Sequence, residues 1–330
     1  MIEIKKTDSI FVAGHTGMVG SSITRKLKEN GYQNLLVPSR KTLDLLDYKS
    51  TENWFKKHNP DVVILAAAKV GGIDANFRYP GDFILKNLKI QNNVIENAWK
   101  KNVKKFIFLG SSCIYPKFAQ QPLKEEYLLN GPLEITNEPY AIAKIAGIKL
   151  CAALKKQYGF EAISLMPTNL FGPGDNYHPT NSHVLPSLIR KFFIAKNEDL
   201  PSVTCWGTGS PKREFLYVDD LADALIFILE NVSSDNKLLY DHENIYQGII
   251  NVGTGKDITI KELVNTISEL FKYDGKILWD QTRPDGTPRK LLDVLKINNL
   301  GWQASTSLKD GINSTIAHFK SDLTNNKIRQ

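Results

Sequence analysis

Short apolar runs alternate with amphipathic helical segments through the first half of the chain, and this pattern restricts the fold more than any other feature. The runs include Ile10–Ala13, Val62–Ala66 and Phe106–Leu109, each apolar throughout rather than at every second residue. Such strands are buried on both faces, as in a parallel sheet whose crossover helices cover both sides. The sequence therefore predicts an α/β fold built on a doubly wound parallel sheet.

Weaker signals extend this pattern along the chain. Pro, Gly and Asn cluster between Pro167 and Pro186 and predict long loops, as does the segment Asp280–Arg289. Thr259 and Glu262 predict a capping box at a helix start, and the polar last ten residues are expected to fray. Further helices are expected at Thr51–His58, Asp82–Lys101, Ala141–Tyr158 and Leu221–Glu230, and further strands at Leu35–Val37, Ala162–Leu165 and Ile249–Val252.

Composition excludes several classes of protein. Of the 330 residues, 42% are hydrophobic and 23% charged, and no apolar run approaches the ~20 residues of a membrane span. Cys113, Cys151 and Cys205 lack metal-type spacing, which favours reduced thiols in a cytoplasmic protein without a metal site. The net charge of +7 is dispersed, so we expect a small anionic ligand and neither a nucleic acid nor a membrane as partner.

A glycine-rich turn follows the first predicted strand. Gly14, Gly17 and Gly20 are spaced G-x-x-G-x-x-G before a helix with Val19 and Ile23 on one face. The first glycine permits the tight turn, the second lets a pyrophosphate approach the backbone, and the third lets helix pack on strand. The helix N-terminus adds unpaired N–H groups for phosphate oxygens. This turn predicts a Rossmann-type dinucleotide site.

The end of the second strand indicates which dinucleotide binds. An NAD site places an acidic residue there to bind the ribose 2′-hydroxyl. This chain instead has Pro38-Ser39-Arg40-Lys41, with two cations and no acid. Arg40 is suited to bind a 2′-phosphate through paired hydrogen bonds. The alternative is that Arg40 is an ordinary solvated surface residue. The sequence predicts NADP(H).

A serine and a tyrosine–lysine pair form the candidate catalytic group. Ser111 follows the strand Phe106–Leu109, and side chains beyond the carboxyl ends of parallel strands line the ligand crevice. Tyr140 and Lys144 lie four residues apart at a helix start and so share one face. A nearby ammonium should lower the phenol pKa from about 10 toward a usable range. We expect Ser111 to bind a substrate carbonyl, Tyr140 to give its proton, and Lys144 to tune Tyr140.

These segments and others resemble the extended short-chain dehydrogenase/reductases and, within them, the GDP-L-fucose synthase family. The resemblance implies a bifunctional NADPH-dependent 3,5-epimerase and 4-reductase that acts on GDP-4-keto-6-deoxymannose, and a homodimer joined through the two long helices. It covers nearly the whole chain and rests on Gly110–Pro116, Asn137–Lys144, Met166–Leu170, Asn181–Pro186, Trp206–Gly209, Arg213–Leu216 and Pro284–Lys290.

Two residues set this family apart from simple reductases. The resemblance implies that Cys113 and His183 act as base and acid in epimerisation. That role is chemically coherent, because C3 and C5 lie beside the C4 ketone and their protons are acidic. Thiol and imidazole exchange protons near neutral pH. Outside the family context, a free cysteine is often a small buried apolar residue and a loop histidine is often incidental.

The resemblance also implies binding residues. We expect the GDP-sugar to be bound by Lys191, Trp206, Arg213 and Asp285. Arg213 is expected to contact the diphosphate, and Trp206 is expected to stack on guanine. Lys191 stands where some relatives have arginine, and Thr16 also replaces an arginine found in some. The NADP(H) contacts are expected at Gly14, Thr16, Gly17, Met18, Val19, Gly20, Arg40, Leu109, Gly110, Ser111, Ser112, Lys144, Pro167, Thr168, Asn169, Leu170 and His183.

The domain division and the alternatives follow. An NADP-binding Rossmann domain is expected over residues 1–170 plus about 215–255, and a smaller α/β GDP-sugar-binding domain over about 171–214 plus 256–330. A related GDP-heptose epimerase/reductase is an alternative. A 4,6-dehydratase would need carboxylates where Cys113 lies, and a 4-epimerase would leave Cys113 and His183 unused. A non-enzymatic NADP sensor would have no need of the Ser-Tyr-Lys set.

Overall fold

A computed structural model describes residues 3–179, 181–283 and 285–328, apart from the side chain of residue 73. Within these residues, the strands are β1 Ile10–Ala13, β2 Leu35–Leu36, β3 Val62–Leu65, β4 Lys105–Leu109, β5 Ala162–Pro167, β6 Asn169–Phe171, β7 Ser202–Trp206, β8 Lys212–Tyr217, β9 Ile249–Val252, β10 Asp257–Thr259, β11 Lys276–Asp280 and β12 Arg289–Lys290.

The helices in the same part of the chain are α1 Met18–Glu29, α2 Tyr48–His58, α3 Ile73–Arg78, α4 Pro80–Lys100, α5 Glu138–Tyr158, α6 Val184–Asn197, α7 Val218–Asn231, α8 Ile260–Phe271, α9 Leu295–Leu300 and α10 Leu308–Thr324. Among the described residues, no helix has the length and apolar character needed to cross a bilayer.

The main sheet is parallel, with strand order β2-β1-β3-β4-β5-β9. The chain leaves β1 toward one edge to form β2 and returns to the other side of β1 to form β3. Such a reversal opens a crevice at the carboxyl ends of the strands, which is where ligands bind in open α/β sheets. The predicted doubly wound, Rossmann-type fold is confirmed.

Both faces of this sheet are buried, and alternate residues of each strand serve opposite faces. In β1, Ile10 and Val12 pack toward α1 and α7, whereas Phe11 and Ala13 pack toward α2, α4 and α5. The continuous apolar runs in the sequence reflect this double burial. The two layers hold the carboxyl edge of the sheet rigid, and that edge carries the candidate site.

A smaller region lies beyond this edge. Its strands β10, β8 and β12 are neighbours in that order, and β6 also pairs with β8. A separate pair joins β7 to β11. An apolar core formed mainly by α6, α8 and α10 supports these strands. Lys191, Trp206 and Arg213, which are expected to bind the sugar nucleotide, lie in this region.

A buried carboxylate connects the two regions. Glu214 in β8 is fully buried, and its Oε1 accepts hydrogen bonds from the backbone N–H groups of Thr254 (2.6 Å) and Gly255 (2.8 Å), which follow β9 of the main sheet. Its Oε2 accepts one from the N–H of Leu292 (2.9 Å), just after β12. One side chain therefore fastens β8, the loop after β9 and the segment after β12.

Several predicted boundaries were wrong. Helix α5 begins at Glu138, three residues before the predicted start, because a turn ends at Asn137 and Pro139 fits the first helical turn. The last ten residues do not fray throughout, since Ser307 caps α10 and the helix continues to Thr324. The loop-rich stretch from residue 167 also contains β6. The predicted capping box of Thr259 and Glu262 is confirmed.

Candidate active site

The glycine turn lies between β1 and α1 at the strand-order reversal. Gly14 has φ +90°, and a Cβ there would meet Ala67 N at 2.7 Å. A Cβ on Gly20 would meet the carbonyl oxygen of Gly14 at 2.1 Å, so helix and turn touch through backbone alone. Gly17 precedes α1 without a side-chain cap, which leaves the N–H groups of the first helical turn open to an anion. These features fit a dinucleotide pyrophosphate.

The other predicted cofactor residues surround this turn. Arg40 is exposed just beyond β2, which pairs with β1, so it emerges at the same edge as the turn. Thr168 and Asn169 are fixed through their side chains to the carbonyl oxygen of Glu214. The rest lie in the turn, in the first turn of α1, at the carboxyl ends of β4 and β5, or in β6, namely Thr16, Met18, Val19, Leu109, Gly110, Ser112, Pro167 and Leu170.

The serine, tyrosine and lysine of the candidate catalytic group come together. The hydroxyl of Ser111 is a hydrogen-bond partner of the Tyr140 phenol. Lys144 is buried, and its Nζ donates to the carbonyl oxygen of Leu109 at 2.7 Å while lying 5.9 Å from the centre of the Tyr140 ring. Because β4 and α5 pack together, residues far apart in sequence meet at one edge.

The expectation that the pKa of Tyr140 is lowered toward a usable range was wrong. Burial raises the pKa of Tyr140 above its ordinary 10, the nearby Cys113 adds to the rise, and the hydrogen bond with Ser111 only partly opposes it. Burial also lowers the pKa of Lys144 to about 7. The phenol therefore stays protonated at neutral pH, which suits a proton donor.

Cys113 lies beside this group, on the short turn after β4. It is partly buried, and its N–H donates to Ser111 Oγ at 3.2 Å. Burial opposes ionisation of the thiol, but the charge of Lys290 and hydrogen bonds with Ser111 and Lys290 outweigh it, so the pKa of Cys113 falls below its ordinary value. The thiol is therefore prepared to act as a base.

Sequence reasoning did not single out Lys290. Its Nζ donates to Cys113 Sγ at 3.3 Å, although 177 residues separate them. The only signal was its place at the end of the motif Pro284–Lys290, whose first residue lies outside the described part of the chain. His183 immediately precedes α6 and is exposed, yet the surrounding protein and then the charge of Lys290 lower its pKa. Thiol and imidazole thus share one electrostatic environment.

The predicted substrate residues lie on the smaller region. Trp206 is 55% exposed, with Lys191 Nζ 5.5 Å and Arg283 Cζ 5.0 Å from its ring centre. Arg213 in β8 lies beside Lys290 in β12. These cations and the indole form a surface for an anionic, aromatic ligand.

Asp285 has a structural role in this surface. Its Oδ1 accepts the N–H of Thr208 at 2.7 Å, and its Oδ2 accepts the Thr208 hydroxyl at 2.8 Å. These bonds hold the turn after Trp206. The expected contact of Asp285 with the substrate stays a prediction, as do the substrate contacts of Lys191, Trp206 and Arg213.

Together, fold and site define a dinucleotide-dependent oxidoreductase of the short-chain type, with an additional thiol near the protonated Tyr140 phenol. The chain belongs to the NAD dependent epimerase/dehydratase family, whose model matches residues 10–253.

Within the family, the chain is similar to GDP-L-fucose synthases. It is 53% identical to GDP-L-fucose synthase 1 of Arabidopsis thaliana, over 97% of this chain and 95% of the relative. It is 51% identical to GDP-L-fucose synthase of Escherichia coli strain K12, over 94% of this chain and 96% of the relative. A GDP-mannoheptose C4 reductase from Campylobacter jejuni, solved with NADP bound, superposes with a TM-score of 0.86 at 35% identity, covering 96% of this chain and 99% of that one.

Proposed function

We propose that this protein is an NADPH-dependent enzyme that converts GDP-4-keto-6-deoxy-D-mannose to GDP-L-fucose, by epimerisation at C3 and C5 and reduction at C4. Identity of about half the residues with GDP-L-fucose synthases over nearly the full chain supports this activity. The observation that carries the chemistry is the convergence of these groups beyond β4: Cys113 N–H donates to Ser111 Oγ at 3.2 Å, Lys290 Nζ donates to Cys113 Sγ at 3.3 Å, and Lys144 Nζ lies 5.9 Å from the centre of the Tyr140 ring.

In the epimerisation, Cys113 as thiolate removes a proton from a carbon beside the C4 ketone. Ser111 and Tyr140 donate hydrogen bonds to the C4 oxygen and stabilise the negative charge that develops there. His183 returns a proton to the opposite face of that carbon and so inverts it. Repetition at the second carbon completes the change of sugar configuration.

In the reduction, the glycine turn of Gly14, Gly17 and Gly20 would hold NADPH, which would supply a hydride to C4. Tyr140 gives its proton to the C4 oxygen, which is the reason a protonated phenol suits this site. Lys144 stabilises the phenolate that this transfer leaves. Arg40 holds the 2′-phosphate, and Arg213 with Trp206 holds the diphosphate and the guanine.

The direct test incubates the purified chain with NADPH and GDP-4-keto-6-deoxymannose. We expect loss of NADPH absorbance and formation of GDP-L-fucose, identified by chromatography and NMR. A GDP-4-keto-heptose that is converted much faster would contradict the sugar assignment. NADPH binding without turnover of any GDP-sugar would contradict the enzyme assignment.

The variant Cys113→Ser tests the epimerisation separately. A hydroxyl ionises far less readily than a thiol, so incorporation of solvent deuterium at C3 and C5 without NADPH should slow by about 10²- to 10⁴-fold. Affinity for NADPH should not change. Cys151→Ala, which alters a buried thiol in α5, is the control and should exchange normally. Equal loss in both variants would contradict the role of Cys113.

We also propose the division into an NADP-binding part, residues 1–170 plus about 215–255, and a GDP-sugar-binding part, about 171–214 plus 256–330. The packing of α7 and β9 with the main sheet supports it. We further propose a cytoplasmic homodimer. Exposed apolar residues on α4 and α5, including Leu85 and Ile142, support a contact through these helices.

A further inference from the structure

We propose that Lys290 is a positioning residue that keeps the Cys113 thiol in its ionised form, and that it acts through Cys113 rather than on the sugar carbon. The inference rests on the proposed function, because it concerns the base of that reaction. The ionisation of the Cys113 thiol and its dependence on the Lys290 ammonium can be measured without any sugar.

The contact is built into the fold. Lys290 Nζ lies 3.3 Å from Cys113 Sγ. Strand β12 pairs with β8, which places Lys290 beside Arg213. The next two N–H groups are also fixed, that of Leu291 to Gln121 Oε1 (2.9 Å) and that of Leu292 to Glu214 Oε2 (2.9 Å). These bonds fix the backbone at Lys290, so its flexible side chain starts from a defined position near the Cys113 thiol.

The other cations near Cys113 are neutralised by partners of their own. Lys117 and Arg289 line the same small cavity as Cys113 and Lys290. Lys117 Nζ pairs with Glu134 Oε2 at 3.0 Å, and Arg289 pairs with Asp257. Within the described residues, Lys290 pairs with no carboxylate, and its hydrogen bond goes to the thiol.

The remaining groups around the thiol do not compete for this role. Ser111 is an uncharged hydrogen-bond partner, and the Tyr140 phenol stays protonated because burial raises its pKa. The pKa of His183 is lowered by the surrounding protein and then by the charge of Lys290, so the imidazole adds no competing cation at neutral pH. Lys290 is therefore the cation that favours the thiolate.

The ammonium keeps its own protons during the reaction. The sulfur lone pair forms an S–H bond with the proton as the substrate C–H bond breaks. The electron pair of the C–H bond forms a double bond to C4, and the negative charge of the resulting enolate lies on the C4 oxygen. His183 as imidazolium then gives its N–H proton to the opposite face. Lys290 contributes charge alone, so a change at this residue should appear as a change in pH dependence.

The test is the pH profile of Cys113 alkylation by iodoacetamide in the full chain with NADP⁺, followed by mass spectrometry. Cys151 and Cys205 are each 2% exposed, so the reaction reports on Cys113. Lys290→Met preserves the length of the stem and removes the charge. We expect the alkylation midpoint to move upward by about one pH unit or more. Lys290→Arg should restore a midpoint close to that of the parent protein.

Lys117→Met is the matched control, because it removes a cation of the same cavity whose charge Glu134 already balances. Its midpoint should equal that of the parent protein. An unchanged midpoint in Lys290→Met, or an equal shift in Lys117→Met, would overturn the proposal.

Deuterium incorporation into the sugar provides a second measurement. At neutral pH, Lys290→Met should exchange about tenfold more slowly, in step with a thiolate fraction that falls tenfold per pH unit. Raising the pH should restore the exchange. A loss that persists at high pH would mean a structural role and would overturn the proposal. If alkylation depends on Lys290 but no GDP-sugar is converted, the proposed function fails and this inference stands.

Discussion

The two sides of the crevice are built in different ways. The cofactor side consists of short local segments, a glycine turn and the serine, tyrosine and lysine, each at the carboxyl edge of the main sheet. The sugar side depends on β8 and on the two-residue strand β12, which bring together residues from distant parts of the chain. Site residues that belong to one short sequence motif can be recognised from the sequence. Site residues that meet only because distant strands pair can be recognised only from the structure.

The sharpest test of this division changes the phenol on the cofactor side. Tyr140→Phe should slow NADPH oxidation by about 10²- to 10⁴-fold, because the C4 oxygen loses its proton donor. Affinities for NADPH and the GDP-sugar should be preserved. Tyr158→Phe, at the exposed far end of the same helix, is the control and should behave like the parent protein. Steady-state kinetics with calorimetric binding would measure both.

A smaller effect is expected on the sugar side. Arg213→Met should raise KM for the GDP-sugar by about 10- to 100-fold, since a cation facing the diphosphate is lost. The Kd for NADPH should stay the same. Lys212→Met removes an exposed neighbouring charge and serves as the control. If NADPH affinity fell together with sugar affinity in Arg213→Met, the two sides would not be separable.

The smallest effect concerns pH. Burial lowers the pKa of Lys144 to about 7, so its ammonium is present below that pH and lost above it. That charge stabilises the phenolate left by Tyr140. The ammonium fraction falls about tenfold as the pH rises from about 6 to about 8, so single-turnover reduction should slow by up to about tenfold, and Lys144→Met should abolish this pH dependence. A rate that climbs over the same interval would show that the neutral amine is the active form.

An element could be predicted from the sequence when the residues that determine it are neighbours along the chain. Continuous apolar strands revealed the double burial of the main sheet, and the glycine spacing revealed the turn after β1. The early start of α5 was also within reach, because Pro139 in a first helical turn is a local signal.

Other features had no local signal. The strand of Arg289 and Lys290 is too short to show any periodicity, so its pairing with β8 depends on tertiary structure. The contact between Lys290 and Cys113 follows from that pairing. Similarly, the pKa of Tyr140 is governed by burial, which the four-residue spacing to Lys144 does not reveal.

The bonds of Glu214 have a consequence for how the enzyme closes on its substrate. Hinge motion between the two regions at this place would strip a buried carboxylate of two N–H donors, those of Thr254 and Gly255, each worth about 1.5–3 kcal/mol when it bonds a charged group. The distance between the cofactor side and the sugar side of the crevice is consequently fixed by the protein framework before any ligand binds. A rigid inhibitor cut to that span would need no induced movement of the framework.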